Sequence, residues 1–189
     1  MRRKGILVTL LLVAVLFLAA FYPTVTQHHK TYPWTSIMAG PYHCDETGAV
    51  DCASSIEDIK TNQSNAGTIF VPAGTFLIET DLTIPAGMTL KVAQGGLLSI
   101  ATGVTLTING PIEAGDYQIF SLTGTGTVAA SGSPTENNVR WWGSTLGGAL
   151  TAIGSNDSVL TISGAWAVDA DTTVPSNVVL RVDNGGLIT

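Results

Sequence analysis

Residues 67–99 return as residues 157–189, 90 positions later and without a gap. Gly74 returns as Gly164, Asp81 as Asp171, Thr83 as Thr173 and Pro85 as Pro175. Leu90 returns as Leu180, Val92 as Val182, and Gly95-Gly96-Leu97 as Gly185-Gly186-Leu187. Other pairs keep their character: Phe76/Trp166, Ile78/Val168, Ile84/Val174, Lys91/Arg181 and Leu98/Ile188. Similarity at a fixed offset marks a repeat architecture, in which each unit buries its apolar side against the next. A shorter echo sets Ile84–Val92 against Ile100–Ile108, 16 positions on, with a glycine fourth in each.

Within both echoes apolar residues alternate: Met88, Leu90 and Val92, then Val104, Leu106 and Ile108. Thr89, Lys91, Thr105 and Thr107 fall on the opposite side. Period-two alternation bounded by Gly and Pro predicts half-buried strands, with the glycine of each turn supplying a left-handed position. Ile84, Leu90, Val92, Ile100, Leu106 and Ile108 are expected to share one interior. The chain has 21 Gly and only 12% charged residues, and its Thr and β-branched residues suit pleated surfaces. Helical patterning is confined to three places: an N-terminal apolar run, Ser54–Lys60 capped by Ser54 or Ser55, and a weaker piece at Gly147–Ile153. The expected fold is all-β, in two related units with short capping helices, behind an N-terminal apolar helix.

Arg2, Arg3 and Lys4 precede the uncharged segment Gly5–Tyr22. The length lies between a signal peptide and a spanning helix, and the basic cluster keeps the N-terminal side cytoplasmic. Residues 1–26 are therefore read as a signal peptide or membrane anchor, and 27–45 as a linker that includes His28-His29. Everything beyond is expected to be exported, membrane-anchored or secreted. Residues 31–189 hold 4 basic and 14 acidic residues, 4 − 14 = −10. That charge excludes nucleic acid and anionic membrane surfaces as preferred partners.

Cys44 and Cys52, eight apart in an exported segment, suit a disulfide. The alternative is a metal site joining them to His43, Asp45 and Glu46. Glu79 and Asp81 recur as Asp169 and Asp171. Residues two apart on a strand share a face, so each pair is a candidate for Ca²⁺ or acid–base work, against the plainer reading of a charged edge strand. Trp141, Trp142 and Trp166 are candidates for stacking on sugar rings, against the reading that they close a core.

Residues 65–78, Asn-Ala-Gly-Thr-Ile-Phe-Val-Pro-Ala-Gly-Thr-Phe-Leu-Ile, and 82–90, Leu-Thr-Ile-Pro-Ala-Gly-Met-Thr-Leu, resemble the opening of pectate-lyase-superfamily β-helices. Thr107–Phe120, Gly124–Val128 and Trp141-Trp142-Gly143 resemble segments of bacterial exported β-helix proteins. The resemblance covers roughly residues 45–189. It implies a right-handed parallel β-helix, with one unit at 46–143 and a second, truncated one at 144–189. It also implies a polysaccharide as the class of partner, and by analogy a trimer. It transfers no catalytic residue: the calcium-binding Asp cluster, Asn-x-Asp, Asp-Asp, Gly-His-Gly and Arg-x-Lys motifs of active members are missing from residues 45–189. No cofactor is called for, beyond calcium at the acidic pairs.

Three functions follow. The chain is expected to be a non-catalytic β-helical scaffold or surface protein. The alternatives are the N-terminal part of a polysaccharide lyase or glycoside hydrolase, and a carbohydrate-binding module.

Overall fold

Alternating apolar residues produce short strands here, of two to five residues, many of them ended by Gly or Pro. A computed structural model describes residues 35–38, 44–130, 136–143, 146–155, 157–166, 168, 172–183 and 185–188. The apolar segment at 1–26 and the His28-His29 linker lie outside the described residues. Among the described residues, no helix is long and apolar enough to cross a membrane.

The strands are β1 Thr35–Ser36, β2 Thr47–Asp51, β3 Gly67–Val71, β4 Gly74–Ile78, β5 Leu82–Ile84 and β6 Met88–Val92. They continue with β7 Gly96–Ile100, β8 Thr105–Ile108, β9 Ile112–Glu113, β10 Phe120–Leu122 and β11 Thr127–Ala129. The last are β12 Glu136–Asn138, β13 Ser158–Ile162, β14 Ala165–Trp166, β15 Val178–Val182 and β16 Leu187–Ile188. Two helices, α1 Ala53–Asn62 and α2 Leu146–Ile153, and a 3₁₀ turn at Val139–Trp142 complete the elements.

Every recorded strand pair is parallel, and the chain visits three sheets in a fixed order. The first sheet is β1-β3-β6-β9, the second β10-β7-β4-β2 and the third β11-β8-β5. From β3 onward, stacked partners are 20 to 24 residues apart, as in Ser158 with Val178, Leu98 with Phe120 and Leu82 with Leu106. We call each circuit a rung. Further on, β12-β13-β15 and β14-β16 form two more parallel sheets.

This period explains the 16-residue echo differently from strand stacking. Ile84–Val92 and Ile100–Ile108 both cross a corner, from β5 to β6 and from β7 to β8, and their echoed positions do not stack: Leu90 pairs with Ile112, and Leu106 with Leu82. The two glycines also differ. Gly103 has φ +78°, the left-handed position expected of the turn. Gly87 is needed for space instead, since a Cβ there would meet the Asn65 carbonyl oxygen at 2.6 Å.

Ile84, Leu90, Val92, Ile100, Leu106 and Ile108 are all buried, together with Met88, Phe76, Leu98 and Phe120. They form one core lined by three sheets, while Lys91 and Thr83 face outward.

Helix α1 begins one residue before the expected span and ends two after it. Its cap is neither Ser54 nor Ser55. The Asp51 carboxylate accepts the Ala53 N–H at 3.0 Å, and Ser55 is buried. Helix α1 packs by β5, and α2 packs by β11 and the 3₁₀ turn, so each takes a place beside the third sheet. Helix α2 is not a terminal cap: β12 before it and β13 after it pair directly. No strand forms at 172–175, the counterpart of β5.

The second copy also slips. Thr68 pairs with Thr89, which the 90-residue offset carries to Ser158 and Val179, yet Ser158 pairs with Val178. Leu160 and Ile162 are buried and Val159 is only half-buried, whereas Ile69, the counterpart of Val159, is a core residue. A one-residue shift exchanges the faces of a strand. Buried Asn137 donates its side-chain amide to Ser158 Oγ at 2.6 Å, giving the inward-turned serine a partner.

Candidate functional site

The cysteines are joined. Cys44 and Cys52 form a disulfide with a Cα–Cα distance of 4.8 Å, and both are buried. As disulfide sulfurs they are not thiolate ligands, which removes the metal alternative at this place; His43 lies outside the described residues. Asp45 instead accepts the Thr47 hydroxyl at 2.7 Å and the Thr47 N–H at 2.9 Å. These two bonds, the hydroxyl first, hold its carboxyl below the ordinary carboxylate range.

Glu79 and Asp81 are exposed just before β5. Asp81 Oδ1 accepts the Thr105 N–H of the next rung at 2.8 Å. The Glu79 N–H donates to Asp51 Oδ1 at 3.0 Å, and the Thr80 hydroxyl to Asp51 Oδ2 at 2.9 Å. Asp51 thus ties the head of α1 to the rung that follows. Beside it a shallow groove is lined by Ser54, Glu57, Asp58, Thr61, Thr80 and Asp81. Among the described residues, no group of three His, Cys, Asp or Glu is placed to hold a metal ion. Asp169 and Asp171 lie outside the described residues.

The three tryptophans meet around one junction. Trp141 and Trp142 leave the 3₁₀ turn with ring centroids 5.9 Å apart, and Trp142 lies 5.6 Å from Phe120. Trp141 Nε1 donates to the Gly115 carbonyl at 2.9 Å, and Trp166 Nε1 to the Ser163 carbonyl at 2.9 Å. All three are more than nine-tenths buried. Their faces are occupied: Arg140 covers the Trp166 ring at 5.8 Å. Trp142 and Trp166 line a groove with Tyr117, Gln118, Ser121 and Arg140, yet at 7% and 8% exposure they offer it little ring surface.

A polar clasp at this junction was not anticipated from the sequence. Asp116 Oδ1 pairs with Arg140 Nε at 3.0 Å and accepts the Asn138 amide at 3.1 Å. It also accepts the Ser163 hydroxyl. Arg140 Nε in turn reaches the Ser163 carbonyl at 3.3 Å. Asp116, Asn138 and Ser163 come from three successive rungs. Their separations, 22 and 25 residues, lie at or just beyond the rung period and are the sequence signal for this cluster. Offsets of 90 and 16 do not contain it.

Compared with known protein families, curated proteins and solved structures, the chain matches none.

Proposed function

We propose that the chain is a right-handed parallel β-helix of the pectate-lyase superfamily type, serving as an exported or membrane-anchored surface scaffold without its own catalytic site. Uniform parallel pairing and the fixed order of visits to three sheets support the helical winding, and parallel crossovers are right-handed in nearly all known cases. The observation that carries the scaffold reading is how the acids are used. Asp51, Asp81 and Asp116 each accept hydrogen bonds from a neighbouring rung. Such carboxylates fix corners, and a general acid–base pair or a calcium site needs its oxygens turned to substrate or ion.

The carbohydrate-binding reading has one observation in its favour, the gathering of Trp142 and Trp166 in one groove with Arg140. It is second because stacking on a sugar needs an open ring face.

The test uses the full chain in mild detergent, with polygalacturonate, alginate and neutral glucans, with and without calcium. The expected result is no turnover and no calcium-dependent change in melting temperature. Turnover abolished by Asp81→Asn or Asp171→Asn would sink the scaffold reading. Saturable sugar binding lost in Trp142→Ala, with the fold retained, would replace it by the binding module.

A further inference from the structure

The rung after β10 has a turn where the second sheet would carry a strand. The 3₁₀ turn Val139–Trp142 takes that place, and the Ile119 N–H donates to the Trp141 carbonyl at 3.1 Å. Among the described residues, no strand pairs with the outer edge of β10. Between β10 and the turn lies the groove of Trp142 and Arg140, about 600 Å³ in volume and within the size range of small-molecule sites.

Its wall is rich in donors. Of the three indoles gathered here, two donate to backbone carbonyls, Trp141 to Gly115 and Trp166 to Ser163. Trp142 is 7% exposed, and its Nε1 has no acceptor among the described residues. A buried donor without an acceptor is rare in folded proteins and calls for an explanation. Arg140 lines the same groove. Its recorded ion pair, with Asp116, and its hydrogen bond, to the Ser163 carbonyl, both start at Nε, so the guanidinium keeps the Nη donors of its fork. Gly148 brings the first turn of α2 to the wall, and that turn contains no acidic residue. A helix N-terminus favours negative charge. No Asp or Glu is among the described residues that line the groove. Its apolar side is Phe120 and Leu122, the latter 40% exposed.

We propose that this groove binds a carboxylate carried on an apolar group. The carboxylate takes the Arg140 fork and the Trp142 indole N–H near the start of α2, and the apolar group lies against Leu122 and Phe120. A planar carboxylate matches the parallel donors of a guanidinium. A free small acid and the C-terminus of a peptide share this chemistry. The inference goes beyond the scaffold reading, and its probes contain no sugar, so its outcome is independent of the polysaccharide test.

The full chain in mild detergent is titrated with phenylacetate while the nitrogen–proton NMR signals of the indoles are followed. Trp142→Phe deletes one indole N–H and so identifies its signal. Saturable binding that moves the Trp142 signal is expected. Phenylacetamide, uncharged and of nearly the same shape, should bind at least about tenfold more weakly, the scale of a charge-assisted hydrogen bond. Arg140→Met should weaken phenylacetate binding about tenfold, and Arg140→Lys less, because lysine keeps the charge without the fork. Trp142→Phe should weaken it about fivefold, the scale of one hydrogen bond. Melting temperatures check that each variant folds, and the amide probe and the Arg140 variants decide the matter should Trp142→Phe not fold. The peptide Ala-Ala-Ala-Phe, with a free and with an amidated C-terminus, separates the sources: tighter binding of the free peptide than of phenylacetate assigns a peptide C-terminus, and weaker binding a small acid. Absence of saturation, an unmoved Trp142 signal, equal binding of phenylacetamide, or indifference to Arg140→Met would each overturn the proposal.

Discussion

The two copies of the 33-residue segment carry similar residues but differ in burial. Ile84, Val92 and Leu98 are 0%, 2% and 0% exposed, whereas their counterparts Val174, Val182 and Ile188 are 37%, 48% and 41% exposed. The side chains are nearly the same, so the difference is one of neighbours. In the first copy a rung lies on each side. In the second, β13 has β12 on one side, but nothing described lies on β15. Burial in a stacked architecture is a property of the pair of rungs rather than of either one.

The largest test of this comparison exchanges the same residue in both places. Leu90→Ala empties a core site and should cost about 2–5 kcal/mol, while Leu180→Ala should cost less than about 1 kcal/mol, because partly solvated positions leave no cavity. Urea unfolding of the full chain measures both. Equal losses would break the comparison.

The disulfide belongs to the first copy's flank. Its reduction should cost roughly 2–3 kcal/mol, as expected for a short closed loop, and should leave the second copy's hydrogen-exchange pattern unchanged. Calorimetry and exchange with and without reductant report the two parts separately. The unreduced full chain should show no free thiol.

The clasp belongs to the second copy's flank. Arg140→Met should cost about 1 kcal/mol or less, since the ion pair is well over a third exposed and screened by solvent. It should also shift Trp166 fluorescence by uncovering the ring. A spectrum unchanged from the wild type would mean that Arg140 does not cover the ring in solution.

The smallest effect concerns Asp45, whose carboxyl is held low by Thr47. A group with a depressed folded pKa contributes stability above its unfolded value, near ~3.9 for Asp, and loses it as the pH falls through the folded value. Asp45→Asn should therefore melt slightly below the wild type at neutral pH, and the gap should close at acid pH below about 3. Melting curves across that range decide it. A gap that widens as the pH falls would contradict the assignment.

Strand alternation was legible because each strand has one wet face and one dry one: Met88, Leu90 and Val92 against Thr89 and Lys91 mark it without a structure. The cysteine pairing was legible from spacing and from the expectation of export. The rung period was not, because corners of variable length blur it to 20–24 residues while the duplication is gapless at 90. Missing the period meant missing the clasp, since Asp116, Arg140 and Ser163 come together only after the chain is wound. The capping role of Asp51 escaped for a local reason: Ser54 and Ser55 have the right chemistry, but Ala53 already lies in the first turn.

The one-residue slip at β13 bears on how the chain avoids folding into itself wrongly. Similar segments in one polypeptide invite exchange of partners during folding, a known hazard of repeat proteins. Suppose β6 took the place of β15 against β13, in the register that β6 keeps with β3. Val159 and Thr161 would then turn inward, and Leu160 and Ile162 would turn to solvent. Exposing those two aliphatic side chains costs about 1.5–3 kcal/mol each, and Ser158 would leave its Asn137 partner. The shifted phase thus acts as a molecular parity check, letting each strand recognise the neighbour from its own half of the chain.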